Sequence, residues 1–293
     1  MRIGLGTAQF GLDYGISNRS GKVDEGEIRD IIAVAERAGV QVVDTAAAYG
    51  DAEERLGRAL PPDHRFRITT KLPRLPDETA GDALDGWVRN ALATSQRRLG
   101  VDMVDGLLVH HAGDLLGPHG PRLWGTLEVL RADGSLGKIG ASIYTARDLD
   151  ALLDRFPLQL VQAPVNVFDQ RLLASGHLAG LKSAGIEVHA RSVFLQGLLL
   201  MEPDQLEGTH FGPARRPLAD FQAAARAAGR TPVEAAVSFV LSIDAVDAAV
   251  IGVTDAAQFA EIIAAAEPTE ALDWYRPFAL VDERILDPSR WPT

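Results

Sequence analysis

Short apolar runs alternate with longer amphipathic stretches from one end of this chain to the other. The short runs have the length and β-branched content of strands, whereas the stretches between them carry apolar residues at helical spacing. Eight runs are predicted to be strands: 2–7, 41–45, 66–70, 103–109, 138–143, 158–163, 186–191 and 248–253. Because strands joined by helical crossovers run parallel, eight such units predict an α/β fold whose sheet closes into a (β/α)8 barrel, or TIM barrel.

No linker rich in proline, serine or glycine divides the sequence, so residues 1–293 are predicted to form one barrel domain. The stretch 27–39, EIRDIIAVAERAG, is typical of the crossover helices and ends in a glycine that stops the helix. A proline-rich segment at 202–217 predicts a long loop after the seventh strand, and aromatic residues after position 265 predict a C-terminal tail. Loops at the carboxyl ends of barrel strands form the active-site face, so the long loop is a candidate pocket wall.

Composition and charge exclude several classes of protein. Lys and Arg total 29 against 40 Asp and Glu, a net charge of −11, so nucleic-acid binding is not expected. No window approaches about 18 uninterrupted apolar residues and no signal peptide is evident, so neither a membrane span nor secretion is expected. The sequence has no cysteine, which excludes disulfides and thiolate metal sites, and no other metal site is expected. These features predict a cytoplasmic protein that is monomeric by default, because nothing in the sequence marks an interface.

Ionisable side chains end three successive predicted strands. Asp44 ends the second strand and Tyr49 follows it, Lys71 ends the third, and His110 and His111 end the fourth. A tyrosine hydroxyl is a poor proton donor or acceptor at neutral pH, but an adjacent ammonium held by a carboxylate stabilises its phenolate form. A histidine near the same oxygen can orient a carbonyl or relay the proton. Singly, each residue has an ordinary structural interpretation, but together they predict proton transfer at a carbonyl group.

Several motifs resemble, in order, those of the aldo-keto reductases. They are GLGTAQFG at the start, DTAAAYG followed by EERLG, TTK at 69–71, VDMVDGLLVHH at 101–111, GKIGAS at 137–142, VQAPVN at 161–166 and IGVTDAAQFAEI at 251–262. The resemblance runs through nearly the whole chain. It implies a (β/α)8 barrel that uses NADP or NAD to reduce a small-molecule aldehyde or ketone reversibly.

The resemblance also implies a role for each candidate catalytic residue. Tyr49 would supply the proton, Lys71 would assist its ionisation, and Asp44 would fix Lys71. His110 is chosen over His111 because Asp105 and His110 match the family pattern D-x-x-x-x-H.

The dinucleotide contacts are likewise implied by the resemblance. Ser142 and Gln162 should hold the nicotinamide carboxamide with Asn166 close by, and Thr7 and Ala8 should lie against the nicotinamide. Asp44 is included in this set. The pyrophosphate and adenosine contacts are expected from Phe194, Gln196, Gly197, Leu198, Gly252, Val253, Thr254, Gln258 and Glu261. Gly4 and Gly6 do not begin a G-x-G-x-x-G fingerprint, because position 9 is glutamine.

Some positions depart from the family pattern. Ile143 replaces an asparagine expected after Ser142, and Arg191 stands where many members stack a tyrosine on the nicotinamide. Arg191 is expected either to stack there or to form a salt bridge at the barrel rim. The run Val253, Thr254, Asp255 and Gln258 offers no cation to a 2′-phosphate, so the choice between NADP and NAD stays open. Ala8 leaves the pocket open, which suits a sugar-like carbonyl.

Two alternatives remain. The chain could be a redox sensor that binds NAD(P)H with little catalysis, although the full set of four candidate catalytic residues argues against it. It could also be a lyase or aldolase that uses Lys71 as a Schiff base, which would require Lys71 to be unpaired.

Overall fold

The computed structural model describes residues 1–76, 79, 81–266 and 271–292. Eight parallel strands form a closed barrel in sequence order, with the last strand paired to the first. The strands are β1 (Ile3–Gly6), β2 (Val42–Asp44), β3 (Arg67–Leu72), β4 (Val104–Val109), β5 (Leu136–Ser142), β6 (Leu160–Pro164), β7 (Glu187–Arg191) and β8 (Ala248–Gly252). Each overlaps one of the predicted runs, so the TIM-barrel prediction is confirmed.

The helices of the described residues lie between the strands and in the tail. The α-helices are α1 (Ala8–Gly11), α2 (Glu25–Arg37), α3 (Ala52–Ala59), α4 (Asp82–Leu99), α5 (Ala112–Leu116), α6 (Gly120–Ala132), α7 (Ala146–Leu153), α8 (Arg171–Ala174), α9 (His177–Ser183), α10 (Arg215–Ala227), α11 (Pro232–Ser242), α12 (Ala256–Ala264), α13 (Leu272–Tyr275) and α14 (Glu283–Leu286). Within this described part of the chain, no helix is both long and apolar enough to cross a membrane.

The first long crossover helix, α2, shows how the sequence pattern becomes structure. The Asp24 side chain caps the helix by accepting hydrogen bonds from the backbone N–H groups of Gly26 and Glu27. Gly39, with φ of +70°, lies just beyond the other end in the left-handed region that favours glycine. One face packs on the sheet through Ile28, Ile31, Ile32 and Ala35.

Strand register determines which side chains share a level of the barrel. Asp44 of β2 is aligned with Thr69 of β3, and Lys71 lies two residues farther along the same strand. Side chains two residues apart on a strand point to the same face. Ser142 and Gln162 are aligned with each other on β5 and β6. The carboxyl ends of the strands therefore bring polar side chains together at one mouth of the barrel.

An ionic cluster surrounds the largely buried Glu187 at the opposite mouth. The Nε2 atom of His189 lies 2.9 Å from a Glu187 carboxylate oxygen, Arg67 lies 3.2 Å from the same carboxylate, and Lys138 contacts its other oxygen. The hydrogen bond from His189, opposed by burial and reinforced by Lys138 and Arg67, lowers the pKa of Glu187 to about 2. A carboxyl group whose pKa is lowered by folding stabilises the folded state at pH values above its ordinary pKa. This cluster therefore stabilises the barrel at neutral pH.

The predicted long loop after β7 begins at Ser192. It contains short 3-10 helices at Leu195–Leu200, Pro203–Leu206 and Gly212–Ala214. The predicted tail packs against this loop and the barrel, although its residues 267–270 and 293 lie outside the described residues. The rings of Phe211 and Trp291 lie 4.7 Å apart, edge to face. The loop and the tail thus support each other beside the active-site mouth.

Candidate active site

Asp44 and Lys71 form a buried ion pair at the carboxyl mouth of the barrel. The Lys71 ammonium donates to a carboxylate oxygen of Asp44 at 2.6 Å and to the backbone carbonyl of Thr45 at 2.9 Å. Both side chains are almost completely enclosed, with exposed fractions of 1% and 5%. Charges withdrawn from water in this way are stable only when they are paired and hydrogen bonded, as these are.

Tyr49, the third member of the predicted set, lies next to Lys71 of this pair. Its hydroxyl oxygen lies 3.3 Å from the Lys71 ammonium, which also lies 4.9 Å from the centre of the tyrosine ring. The turn that presents Tyr49 packs tightly on α1, because a Cβ at Gly11 would lie 1.8 Å from the Tyr49 carbonyl oxygen. Gly50 follows with φ of +59°. Both glycines are therefore required where the chain turns after β2.

Burial alone would lower the pKa of Lys71, but the carboxylate of Asp44 and the nearby Tyr49 raise it above its ordinary value. Lys71 is therefore an ammonium at neutral pH, and it places a fixed positive charge beside the tyrosine hydroxyl.

His110 lies immediately after β4 and faces Tyr49. The two rings meet edge to face with centroids 5.9 Å apart, and the buried Nδ1 of His110 has no hydrogen-bond partner among the described residues. His111 is exposed and stacks on the other side of His110, with ring centroids 5.1 Å apart. Of the two histidines, His110 is thus the one in contact with Tyr49. Burial, with Lys71, His111 and Arg191 nearby, lowers the pKa of His110 to about 3.

His110 is expected to remain neutral at every pH at which the protein is active. A free histidine protonates near pH 6.5, whereas folded His110 does so only near pH 3. Between these values the unfolded state binds more protons, so the folded state loses stability from this group as pH falls from about 6.5 toward 3. The check is an NMR titration of the imidazole signals, with His110 assigned by its loss in a His110→Gln variant. A midpoint above about pH 5 would contradict the burial argument.

Gln162 holds the carboxylate of Asp44 and Thr7 holds its backbone. The Gln162 amide donates to the second Asp44 oxygen at 2.7 Å, while its own carbonyl oxygen is buried without a partner among the described residues. The Thr7 hydroxyl donates to the Asp44 backbone carbonyl at 3.0 Å. Ala8, which is also buried, lies next to Thr7 at the start of α1. The free Gln162 oxygen is an acceptor that a bound amide group could satisfy.

The Asn166 side chain forms hydrogen bonds to backbone groups of two loops. Its carbonyl oxygen accepts from the backbone N–H groups of Phe168 and Asp169, and its amide donates to the Ser192 carbonyl. These bonds commit Asn166 to shaping the loop after β6. Ser142, by contrast, lines an open pocket together with His110.

Arg191 stacks on a tyrosine that the sequence analysis did not consider. Its guanidinium carbon lies 4.1 Å from the centre of the Tyr144 ring, and the same group donates to the Ile143 carbonyl at 3.0 Å. Among the described residues, no carboxylate forms a salt bridge with Arg191, so the rim salt bridge is not found. The motif GKIGAS ends at Ser142, two residues before Tyr144, and therefore gave no indication of this partner.

A groove of about 340 Å³ runs from this mouth toward α12, between the segment after α1, the loop after β7 and the end of β8. Eight of the predicted dinucleotide contacts line it: Phe194, Gln196, Gly197, Gly252, Val253, Thr254, Gln258 and Glu261. Leu198 does not, because its side chain is fully buried in the core. The remaining candidates, Thr7, Ala8, Asp44, Ser142, Gln162 and Arg191, are not part of its lining.

The loop that forms one wall of the groove has an unusual backbone. Ser192, Leu195 and Gln196 have φ of +58°, +49° and +53°, a region that side chains other than glycine rarely adopt. Each such residue costs on the order of 1 kcal/mol and persists where the surrounding structure enforces it, often at functional sites. Gly197 continues the turn with φ of +96° and packs against Ser17.

Sequence reasoning missed three groove residues on the segment after β1. The buried side-chain oxygen of Gln9 has no partner among the described residues, and a Cβ at Gly252 would lie 2.2 Å from it. Tyr14 also lines the groove, and burial together with the nearby Tyr49 raises its pKa. Arg19 brings a cation to the same lining. Gln9 lies inside the GLGTAQFG motif but was given no contact, and no pattern marked Arg19.

A second cavity, of about 620 Å³, opens on the other side of His110. Its lining is mainly polar or charged and includes Arg74, His110, His111, His119, Ser142, Tyr144 and Asp148. The polar pocket therefore reaches His110, which contacts Tyr49, and Tyr14 of the groove also lies near Tyr49.

Comparison with known proteins agrees with this architecture. A sequence profile described as the Aldo/keto reductase family matches residues 2–273. An aldo-keto reductase of Mycobacterium sp. (strain MCS) is 35% identical over 141 residues, which cover 46% of each chain. One of Mycolicibacterium vanbaalenii is 31% identical over 189 residues, covering 62% of this chain and 64% of that protein. In such matches the chain spans roughly half the length of its curated relatives.

The fold is also similar to a solved structure, the holo form of an aldo-keto reductase from Bacillus halodurans. The TM-score is 0.77 at 20% sequence identity, and the match covers 99% of this chain and 95% of that one. Because the family profile extends over most of the sequence, the chain belongs to the aldo/keto reductase family.

Proposed function

We propose that this protein is an NAD(P)H-dependent oxidoreductase that reduces an aldehyde or ketone to an alcohol, reversibly. The observation that carries the proposal is the buried chain of contacts from Asp44 through Lys71 to the Tyr49 hydroxyl, with steps of 2.6 and 3.3 Å. It ends in a proton donor that lies beside His110, which lines the polar pocket.

The groove is the proposed dinucleotide site. A nicotinamide dinucleotide supplies the hydride, which no protein side chain can supply. The residues present fit such a group, because the buried side-chain oxygen of Gln9 in the groove, and that of Gln162 beside Asp44, lack partners among the described residues. Such oxygens can accept hydrogen bonds from a carboxamide or from hydroxyl groups, which would remove the free-energy cost of leaving them unsatisfied.

The protein's own part in the reaction is proton transfer. The Tyr49 hydroxyl donates its proton to the carbonyl oxygen during reduction and takes one back during oxidation. The Lys71 ammonium, held by Asp44, stabilises the negative charge that develops on the tyrosine oxygen. His110, kept neutral by burial, can donate a hydrogen bond to the same carbonyl oxygen without adding a charge.

The polar pocket is the proposed substrate site. Its lining offers guanidinium, imidazole, hydroxyl and carboxylate groups, which suit a small hydroxylated carbonyl compound such as a sugar-like aldehyde. The paired state of Lys71 argues against a Schiff-base lyase, since that chemistry needs a free amine.

A combined binding and turnover assay tests the proposal. Binding of reduced dinucleotide is expected to quench the fluorescence of the four tryptophans, and addition of a panel of aldehydes and sugars should oxidise the bound form. Binding without turnover of any carbonyl would instead support the redox sensor. Trapping of a substrate on Lys71 by borohydride would support the lyase.

A further inference from the structure

The amino end of α12 forms one part of the groove, where Thr254, Gln258 and Glu261 line it. Tyr14, which lies near Tyr49, lines another part. If the groove binds a dinucleotide as proposed above, the reactive ring must lie by Tyr49. The adenosine then lies at the α12 end.

Three backbone donors at this helix end are already used. The N–H of Ala256 donates to a carboxylate oxygen of Glu27 at 2.6 Å, and the N–H of Gln258 donates to the Asp255 carboxylate at 2.7 Å. Just before the helix, the N–H of Thr254 donates to the side-chain oxygen of Gln258 at 3.0 Å. A helix amino end binds phosphate through free N–H groups, but three N–H groups at this end bond to the protein's own oxygens.

The charges at this end are also unfavourable for a phosphate. Glu27 and Asp255 place two carboxylates on the helix end, and Glu261 adds a third in the groove lining. A phosphate monoester carries a charge near −2 at neutral pH, so like charges would repel it. A ribose hydroxyl, in contrast, can donate a hydrogen bond to a carboxylate.

We propose that this end of the groove selects a dinucleotide with a free 2′-hydroxyl, NAD(H), against NADP(H), and that Glu27 and Asp255 are the determinants. The proposal rests on the dinucleotide function proposed above. Glu27 reaches α12 from α2, far away in sequence, and closes the helix end that a 2′-phosphate would need.

Arg19 is the cation that has to be considered against this proposal. It is exposed, lines the groove and forms no salt bridge among the described residues. Its segment is tied to the loop after β7, since Ile16 donates to the Gln196 carbonyl at 3.0 Å and Ser17 packs on Gly197. We assign Arg19 to the pyrophosphate, which both dinucleotides share, so it should not discriminate between them.

The test measures dissociation constants of NADH and NADPH for the full chain, by tryptophan quenching and by calorimetry, without any turnover. Wild type is expected to bind NADH about tenfold more tightly than NADPH. In Glu27→Gln the amide oxygen can still accept from Ala256, so the helix end is kept while one charge is lost. NADPH should then bind about fivefold more tightly, with NADH unchanged within about twofold. High salt should bring the dissociation constants of NADPH and NADH for wild type closer together, because salt screens the repulsion between exposed charges.

Glu25→Gln is the matched control. It removes the same charge from the same helix, but Glu25 pairs with Arg58 at 2.6 Å, away from the groove, so neither constant should change. Arg19→Gln should weaken the binding of both dinucleotides by similar factors. If wild type binds NADPH more tightly than NADH, or if Arg19→Gln weakens the binding of NADPH alone, the selection proposed here is overturned. Failure of both dinucleotides to bind wild type would instead overturn the proposed function itself.

Discussion

A Tyr49→Phe variant is expected to bind reduced dinucleotide as wild type does but to turn over carbonyl substrates about 1000-fold more slowly. The substitution removes only the hydroxyl that lies 3.3 Å from the Lys71 ammonium. The phenyl ring can keep its edge contact with His110 and its position over Lys71. The loss should therefore appear in kcat and leave the dinucleotide dissociation constant unchanged, as measured by stopped-flow kinetics and fluorescence titration.

Tyr275→Phe provides the control for loss of a buried phenol. Tyr275 is fully buried against Phe239 and Trp274, outside both the groove and the polar pocket, and its replacement should leave kcat within about twofold. A decrease of less than about fivefold in Tyr49→Phe would exclude Tyr49 as the proton donor, since general acid catalysis contributes at least about 100-fold.

A Lys71→Met variant is expected to lose both activity and stability. Methionine matches the length of the lysine side chain but leaves the Asp44 carboxylate buried without its cation. Removing one partner of a buried ion pair typically lowers the free energy of unfolding by about 3 to 5 kcal/mol. Turnover should fall at least about 100-fold, because nothing then stabilises negative charge on the Tyr49 oxygen. Denaturant unfolding and kcat measure the two effects.

The double variant Lys71→Met/Asp44→Asn separates the two effects. With both charges removed, much of the stability should return, because no unpaired charge remains buried and Gln162 can still donate to the asparagine oxygen. Activity should not return. Recovery of turnover in the double variant would mean that Lys71 acts only through folding. Because the pKa of Lys71 is raised, the stabilising contribution of the pair in wild type should be fully present from neutral pH up to about pH 10.4 and lost only as pH rises beyond that.

Much of the barrel could be predicted because the signals for its elements are local. Each strand is a short apolar run, and α2 carries its cap at Asp24 and its stop at Gly39 within a few residues of its ends. The candidate catalytic set could be predicted for a related reason. Asp44, Lys71 and His110 each lie at or next to the carboxyl end of a strand, and parallel strands bring these ends to one mouth.

Side-chain partners across the barrel could not be predicted in the same way. Arg191 of β7 stacks on Tyr144, which lies beyond β5. Arg191 was expected to stack on the nicotinamide or to form a salt bridge at the rim, and neither expectation included Tyr144. The hydrogen bonds of Asn166 could not be predicted either, because its side chain serves turns in its own loop and in the loop after β7. Which of several polar groups forms a given hydrogen bond depends on the positions of all of them in the folded protein. A single sequence does not give those positions.

The sequence by itself determined the eight-stranded barrel and the positions of Asp44, Tyr49, Lys71 and His110 near its mouth, because these follow from strand periodicity and the ends of successive strands. The groove and its chemistry were decided only by the tertiary structure. Barrel closure pairs β1 with β8, and this brings the segment that carries Gln9 and the helix that carries Glu27 against the end of β8 and α12. Glu27 and Ala256 are 229 residues apart, and contacts at such a separation arise from the closed topology rather than from any local pattern.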